Sequence, residues 1–421
     1  MLTAARLGAV ALTAAVFAGT AAPAFAASAS PSAAPLPAGL YGKSDPTYDG
    51  VWRQGLSLIA LHTQGVTPAD SAVGWLTGQQ CADGGWPSYD ATPAKGCTAA
   101  TEDTNATAVA VQALVALGGH DAAVSKAVAW YRKIQNADGG WAYNPGSPSD
   151  GNSTGLVVSA LDAAKTDPAT LVGKSGKSGV DGLHALQLGC TAAMAEQGAF
   201  AYQPDKSGKL VANDASSAQA ALAAGGAFLP VAAPTGAAAP TPSASTAASA
   251  SASCSDSAAA ASQYLAQRLS SGGEHLTSQL AGASPTTDYA STGWAVLSLA
   301  GSGRPDDARR AAQWLRDNGA PWAQNNGTPS PAALATLILD ARATGLDPHR
   351  FGTADLVTQL EATGPTPAAT PASSAPAASA VASAPAKTSG SGFSPWWIIG
   401  VGLVAGAGIG LFVSFSRSKR G

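Results

Sequence analysis

The sequence predicts an all-α fold built from repeated helix pairs, and three observations carry that reading. A tryptophan-ended turn occurs twice: Trp75 to Trp86 reads WLTGQQCADGGW, and Trp130 to Trp141 reads WYRKIQNADGGW. In both copies the two tryptophans stand eleven positions apart, and matching turns that recur after some tens of residues are the mark of a helical repeat protein. Apolar helical runs also alternate with amphipathic ones, while strand signals are almost absent.

Each Asp-Gly-Gly is placed to stop a helix. Glycine tolerates the positive φ that a helix C-terminus needs, and the Trp that follows can fold back on the last turn. The first helix is expected over Tyr48 to Gln64, apolar at Leu56, Ile59, Ala60 and Leu61. Pro68 opens its partner, which ends at the Cys81 turn. Asp103 then caps a fully apolar helix that Gly118-Gly119 ends, and Asp121 to Ile134 is the more polar partner. The unit recurs with drift. Asp150 opens LVVSALDAAK, Val180 to Leu188 and Phe200 replace the amphipathic helix and its Trp, and Asn213 opens QAALAA. Ser255 to Leu269 is an outer-type helix, Asp288 opens WAVLSLA, and Asp306 to Arg316 with Pro321-Trp322 follows. Ser330 to Ala343 and Thr353 to Leu360 form the last of about six helix pairs.

Four apolar helices start alike, with Asp or Asn followed four residues later by Thr or Ser: Asp103/Thr107, Asp150/Thr154, Asn213/Ser217 and Asp288/Thr292. Two readings are open. The acids and amides cap free backbone N–H groups, and small residues let helices approach closely. Alternatively, helix starts gathered in an inner ring converge at one mouth, where Asp103, Thr104, Thr107, Asp150, Thr154, Asn213, Ser217, Asp288, Tyr289 and Thr292 line a shared pocket. Trp86, Trp141 and Trp322 either add an aromatic platform to that mouth or pack against helix ends.

The ends of the chain predict export and anchoring. Residues 1–26 read as a signal peptide, with Arg6 as the basic region, Leu7 to Ala18 as the apolar one and Ala24-Phe25-Ala26 as the cleavage site. Pro395 to Phe415 carries no charge and is long enough to span a bilayer. The basic tail at 416–421 places the C-terminus in the cytoplasm and the folded part outside. Gly402, Gly406 and Gly410 form a small-residue face on which two spans can pair into a weak homodimer. A short linker covers 27–35. Low-complexity Ala/Ser/Thr/Pro stretches at 231–253 and 364–392 read as a surface insertion and a stalk, too poor in apolar residues to bury a core. The folded region is then 36–363, ample for one large domain. A net charge of −3 with no basic stripe argues against nucleic acid as a partner. Four cysteines in an exported chain predict two disulfides, and of the three pairings the neighbouring one, Cys81 with Cys97 and Cys190 with Cys254, is expected.

Together the helix pairs and the Gln-x-x-Asp-Gly-Gly-Trp turns resemble the prenyltransferase and squalene-cyclase repeat family. The resemblance covers nearly all of 36–363, strongest at Gln80–Trp86 and Gln135–Trp141 and weak after Phe200. It implies an α/α toroid, a barrel of inner helices within a ring of outer ones. Asp103-Thr104-Asn105-Ala106-Thr107-Ala108 is similar to the inner-helix start of members that bind ligands without reacting them, the cobalamin carriers among them. The family's catalytic sets have no counterpart here. Asp306-Asp307, the one adjacent pair of aspartates in the domain, heads an outer helix instead of forming an Asp-x-Asp-Asp acid. His62, His120, His184, His275 and His349 are scattered, so no Asp/Cys/His zinc set forms. Between Gly189-Cys190 and Glu196-Gln197, five residues intervene where a thioester motif allows one.

The expected function is therefore a non-catalytic, membrane-anchored extracellular module that takes a small molecule at the toroid's mouth, a corrinoid being the ligand that the resemblance implies. Two alternatives stand beside it. One is a terpenoid- or carbohydrate-acting enzyme using rim acids such as Glu102, Asp103 and Asp288. The other is a structural or partner-binding surface protein.

Overall fold

A computed structural model describes residues 36–93, 96–233, 254–278 and 284–368. The expected signal peptide, most of the stalk, the 395–415 span with Gly402, Gly406 and Gly410, and the basic tail lie outside these residues. Among the described residues no helix is long and apolar enough to cross a membrane.

The described chain is all-α apart from one short hairpin. Its helices are α1 (Gly50–Thr63), α2 (Asp70–Gly78), α3 (Thr104–Leu117), α4 (Asp121–Ile134), α5 (Gly151–Ala163), α6 (Gly179–Ala185) and α7 (Asp214–Ala224). After the insertion come α8 (Ser257–Ser271), α9 (Tyr289–Gly301), α10 (Pro305–Asn318), α11 (Ala320–Ala323), α12 (Pro331–Thr344) and α13 (Leu356–Glu361). The hairpin pairs β1 (Thr277–Ser278) with β2 (Thr286–Thr287), antiparallel.

Alternation in hydropathy becomes alternation in burial. In α3, ten residues from Thr104 to Leu114 are buried, whereas its partner α4 buries Ala127, Trp130 and Tyr131 alone. The buried helices α1, α3, α5, α7, α9 and α12 pack on one another in that order, and α12 packs on α1. The two ends of the described chain also meet, where the Gly42 N–H donates to the Thr363 carbonyl at 2.9 Å. Small residues permit the close approach that this packing needs. A Cβ on Gly55 of α1 would stand 2.7 Å from Val109 of α3, and one on Gly155 of α5 would stand 2.6 Å from Ala220 of α7.

The tryptophan turn proves to have a third copy. In the first two, the Gln80 and Gln135 amides donate to the carbonyls of Gly84 and Gly139 at 3.0 and 2.7 Å. In the third, the Gln187 amide donates to the Gly198 carbonyl at 3.2 Å, with Phe200 in the Trp position. All three glycines have positive φ and lie against the backbone of the next outer helix or its cap, at Lys126, Ser178 and Ala260. Six positions separate Gln135 from Trp141, but thirteen separate Gln187 from Phe200. The seven additional residues carry Cys190, which is bonded to Cys254, while Cys81 is bonded to Cys97. The neighbouring disulfide pairing is thus the one formed.

The stretch after α7 differs from the surface insertion expected from Val231 onward. Val231 and Leu229 are buried. The Leu229 N–H donates to the Gln112 side chain of α3 at 2.7 Å, and Ser159 of α5 donates to the Ala227 carbonyl at 2.9 Å. Residues 227–231 therefore cross beneath α3 and α5 and contribute apolar side chains to the core before the low-complexity run begins.

Candidate ligand-binding rim

Helix capping fixes the four starts. Asp103 accepts from the Asn105 and Ala106 N–H groups, Asp150 from Ser153, Asn213 from Ser216 and Asp288 from Ser291. Each cap satisfies at least one of the orphan N–H groups of a helix N-terminus, and Asp103 satisfies two.

A repeated latch then ties every start to the turn before it. The backbone N–H of Asp103, Asp150, Asn213 and Asp288 donates to the carbonyl of Trp86, Trp141, Phe200 and Leu276 respectively, at 2.8 to 3.0 Å. In return the backbone N–H of Trp86, Trp141, Phe200 and Leu276 donates to the hydroxyl of Thr107, Thr154, Ser217 and Thr292 respectively, again at 2.8 to 3.0 Å. Those four hydroxyls are buried and serve the turn, so they offer no group to a ligand. Replacing Thr154 by Val keeps the shape and orphans the Trp141 N–H. This variant is expected to lose about 1–3 kcal/mol of stability, the cost of an unsatisfied buried donor, measured by denaturant unfolding against wild type. An unchanged midpoint would remove the latch from the account of stability.

Trp86 and Trp141 are likewise interior. Both are 0% exposed, and their indole N–H groups donate to the Leu76 and Tyr131 carbonyls at 2.8 and 2.9 Å. They pack on the ends of α2 and α4 and present no ring face outward. Thr104 is buried too, its N–H donating to the Tyr143 carbonyl. Tyr289 is half-buried in an aromatic group, stacked on Trp322 at 6.1 Å and tilted on Trp314 at 5.7 Å.

The caps themselves fall into two neighbouring sectors. In the first, Ser88 donates to Asp103 at 2.6 Å and also meets the Tyr143 hydroxyl, while the Tyr143 N–H donates to Asp150 at 3.1 Å. Asn105 and Asn152 add a 3.0 Å bond between α3 and α5. Burial raises the pKa of Asp103 and Asp150 above the usual carboxylate range, with the capping hydrogen bonds pulling the other way.

In the second sector, Asn213 and Asp288 border a cavity of about 520 Å³. The other walls are Ala195, Glu196, Ala212, Asp214, Ala215, Tyr264, Arg268, Thr277 and Ser278. On its wall Arg268 of α8 grips the Asp214 carboxylate with two nitrogens, at 2.9 and 2.6 Å, and the Tyr264 hydroxyl donates to the same carboxylate. The Asp214 hydrogen bond is the main cause that raises the Arg268 pKa, so its charge is permanent. Burial, followed by the Asp214 charge, pushes the Tyr264 phenol well above its ordinary value and keeps it neutral.

Asp214, Arg268 and Tyr264 are functional candidates that no motif of the sequence marks, and Glu196, which stands beside the incomplete thioester spacing, joins them here. Asp214 follows the Asn213 cap directly, but its partners stand 50 and 54 positions later, beyond the low-complexity insertion. Only the folded chain brings them together. The acid pair Asp306-Asp307 lies in the first turn of α10, where Asp307 pairs with Arg304 and Arg310.

One further group has metal-like spacing: an oxygen of Asp83, one of Glu102 and the Cys81 sulfur lie within 4.8 Å of one another. The sulfur is bonded to Cys97 and carries no thiolate, which leaves two carboxyls. Compared with known protein families and with curated proteins, the sequence matches none.

Proposed function

We propose that this chain is an exported, membrane-anchored protein of the prenyltransferase and squalene-cyclase kind, its helix pairs closed into an α/α toroid that binds a small molecule without transforming it. The circuit of buried helices in which α12 packs on α1 supports the toroid. The two disulfides fit the oxidising surroundings of an exported chain. Anchoring rests on the sequence of 395–415 and its basic flank.

The observation that carries the binding function is the rim cavity between α7, α8 and the hairpin. Its volume of about 520 Å³ falls in the range of small-molecule sites. Its lining is polar, with hydroxyls from Thr277, Ser278 and Tyr264 and an ordered carboxylate at Asp214. Three carboxylates face one guanidinium, and Asp214 already occupies that guanidinium. This balance repels anions and favours a neutral, hydroxyl-rich or cationic ligand. A corrinoid, the ligand the resemblance suggests, is a larger macrocycle and serves as a comparison compound.

The test is a small-molecule pull-down from growth medium with the purified full-length protein, read by mass spectrometry, alongside direct titration with sugars, amines and corrinoids. A neutral or cationic compound is expected to co-purify. Its affinity should fall at least tenfold in Asp214→Asn, as for loss of a charge-assisted hydrogen bond. Recovery of no compound, or equal recovery by the variant, would reject the cavity as the site.

A second reading has one observation in its favour. Residues 227–231 fill space beneath α3 and α5 with Leu229 and Val231, as in a solid structural head that displays a surface to a partner. The same pull-down, if it returns a protein and no small molecule, selects this reading.

A further inference from the structure

The turn copies differ at one position, and the difference has chemical content. In the second copy the Asp138 carboxylate accepts from the Gly140 N–H at 2.9 Å and from the Ser149 hydroxyl at 2.8 Å. Ser149 is the residue before the Asp150 cap. In the first copy the corresponding acid is Asp83, and the residue before the Asp103 cap is Glu102. Glu102 is only 4% exposed, with its carboxyl beside that of Asp83. The fold thus calls for a donor where the first copy holds an acid. A serine hydroxyl donates at every pH, whereas a glutamate donates only when protonated.

We propose that Asp83 and Glu102 share one proton in the first turn, and that its loss as the pH rises toward neutral loosens the segment between Cys81 and Cys97. The disulfide keeps that segment attached while it opens, and Ser88, which holds Asp103 at the rim, lies within it.

The charges around the pair agree. From α4, Lys133 approaches Asp83 at 3.3 Å, and the Trp130 indole N–H faces Glu102 without closing a full hydrogen bond. Asp103, next along the chain, turns its carboxylate to Asn105, Ala106 and Ser88. Burial first, and then Asp83, push the Glu102 carboxyl up to about 7. Burial also pulls Asp83 upward, but hydrogen bonds from Glu102 and Lys133 outweigh it and leave Asp83 below its ordinary value. The folded pKa of Glu102 exceeds the unfolded one, so the native turn holds the proton more tightly than the opened turn. Stability from this pair is therefore present at low pH and is lost between about 4.5 and about 7.

Hydrogen exchange of the full-length, oxidised protein tests this, with rates corrected for the intrinsic pH dependence. Protection in the 81–97 segment is expected to fall by up to tenfold per pH unit between about pH 5 and pH 7. The second turn, over 136–149, is the internal control and should stay level. Glu102→Gln and Glu102→Ser, the latter copying the second turn, should abolish the fall. The proposal is overturned if the wild-type first turn is as level as the second. It is equally overturned if the fall persists in whichever of the two variants folds.

Discussion

Trp141→Ala is expected to destabilise the protein by about 3–5 kcal/mol, the cost of emptying a buried aromatic site. The ring is wholly enclosed, meets Tyr131 edge-on at 6.3 Å, and donates to the Tyr131 carbonyl. Gly179 makes room for it: a Cβ there would lie 3.0 Å from the indole. Truncation therefore leaves a cavity, an orphan carbonyl and a loosened latch at Thr154. Domains are commonly stable by only about 5–15 kcal/mol in total, so the variant should stand near its unfolding threshold at physiological temperature. Denaturant unfolding of wild type, Trp141→Ala and Trp141→Phe separates the contributions. The phenylalanine should recover most of the loss and lack only the hydrogen bond. A loss below about 1 kcal/mol for alanine would mean that the turn does not bear on the core.

Replacing Asp340 should have the opposite sign. This residue lies in the middle of α12, 0% exposed, and neither carboxyl oxygen has a hydrogen-bond partner. It points at α9, where Gly293 leaves it space: a Cβ on Gly293 would stand 3.0 Å from Oδ2. Burial alone raises its pKa well above the usual carboxylate value. The raised folded pKa means that the native state binds a proton the unfolded state releases. Stability from this group falls as the pH climbs above the unfolded carboxylate range and toward the folded value. Asp340→Val, which removes the polar atoms, is expected to gain about 1–3 kcal/mol at neutral pH. Asp340→Asn should flatten the pH dependence. Unfolding midpoints between pH 4 and pH 8 provide the measurement. A destabilised Asp340→Val would reveal a partner for the acid, such as an enclosed water.

The helical architecture was legible because its determinants are local. Caps at Asp103, Asp150, Asn213 and Asp288, glycine stops and tryptophan turns act within a few residues, and the helices fall where those signals put them. The third turn is legible only as a drifted copy, with Phe200 in the Trp position, because seven inserted residues stretch its Gln187-to-Phe200 spacing. Site chemistry was harder to read. The Asp/Thr pattern at the helix starts has one spelling for two uses, and only geometry shows that the Thr107, Thr154, Ser217 and Thr292 hydroxyls face backbone N–H groups. The Asp214, Tyr264 and Arg268 cluster depends on contacts spanning the insertion, a distance over which no periodicity carries information.

The insertion at 234–253 leaves from a buried Val231 and returns at Cys254, which Cys190 holds. Both ends are thus anchored whatever lies between them. Closure entropy grows only with the logarithm of the length between two fixed points, about 0.6 kcal/mol per doubling, so sequence added between these two moorings costs the described fold little. The same freedom makes the insertion the natural place to splice in a fluorescent reporter.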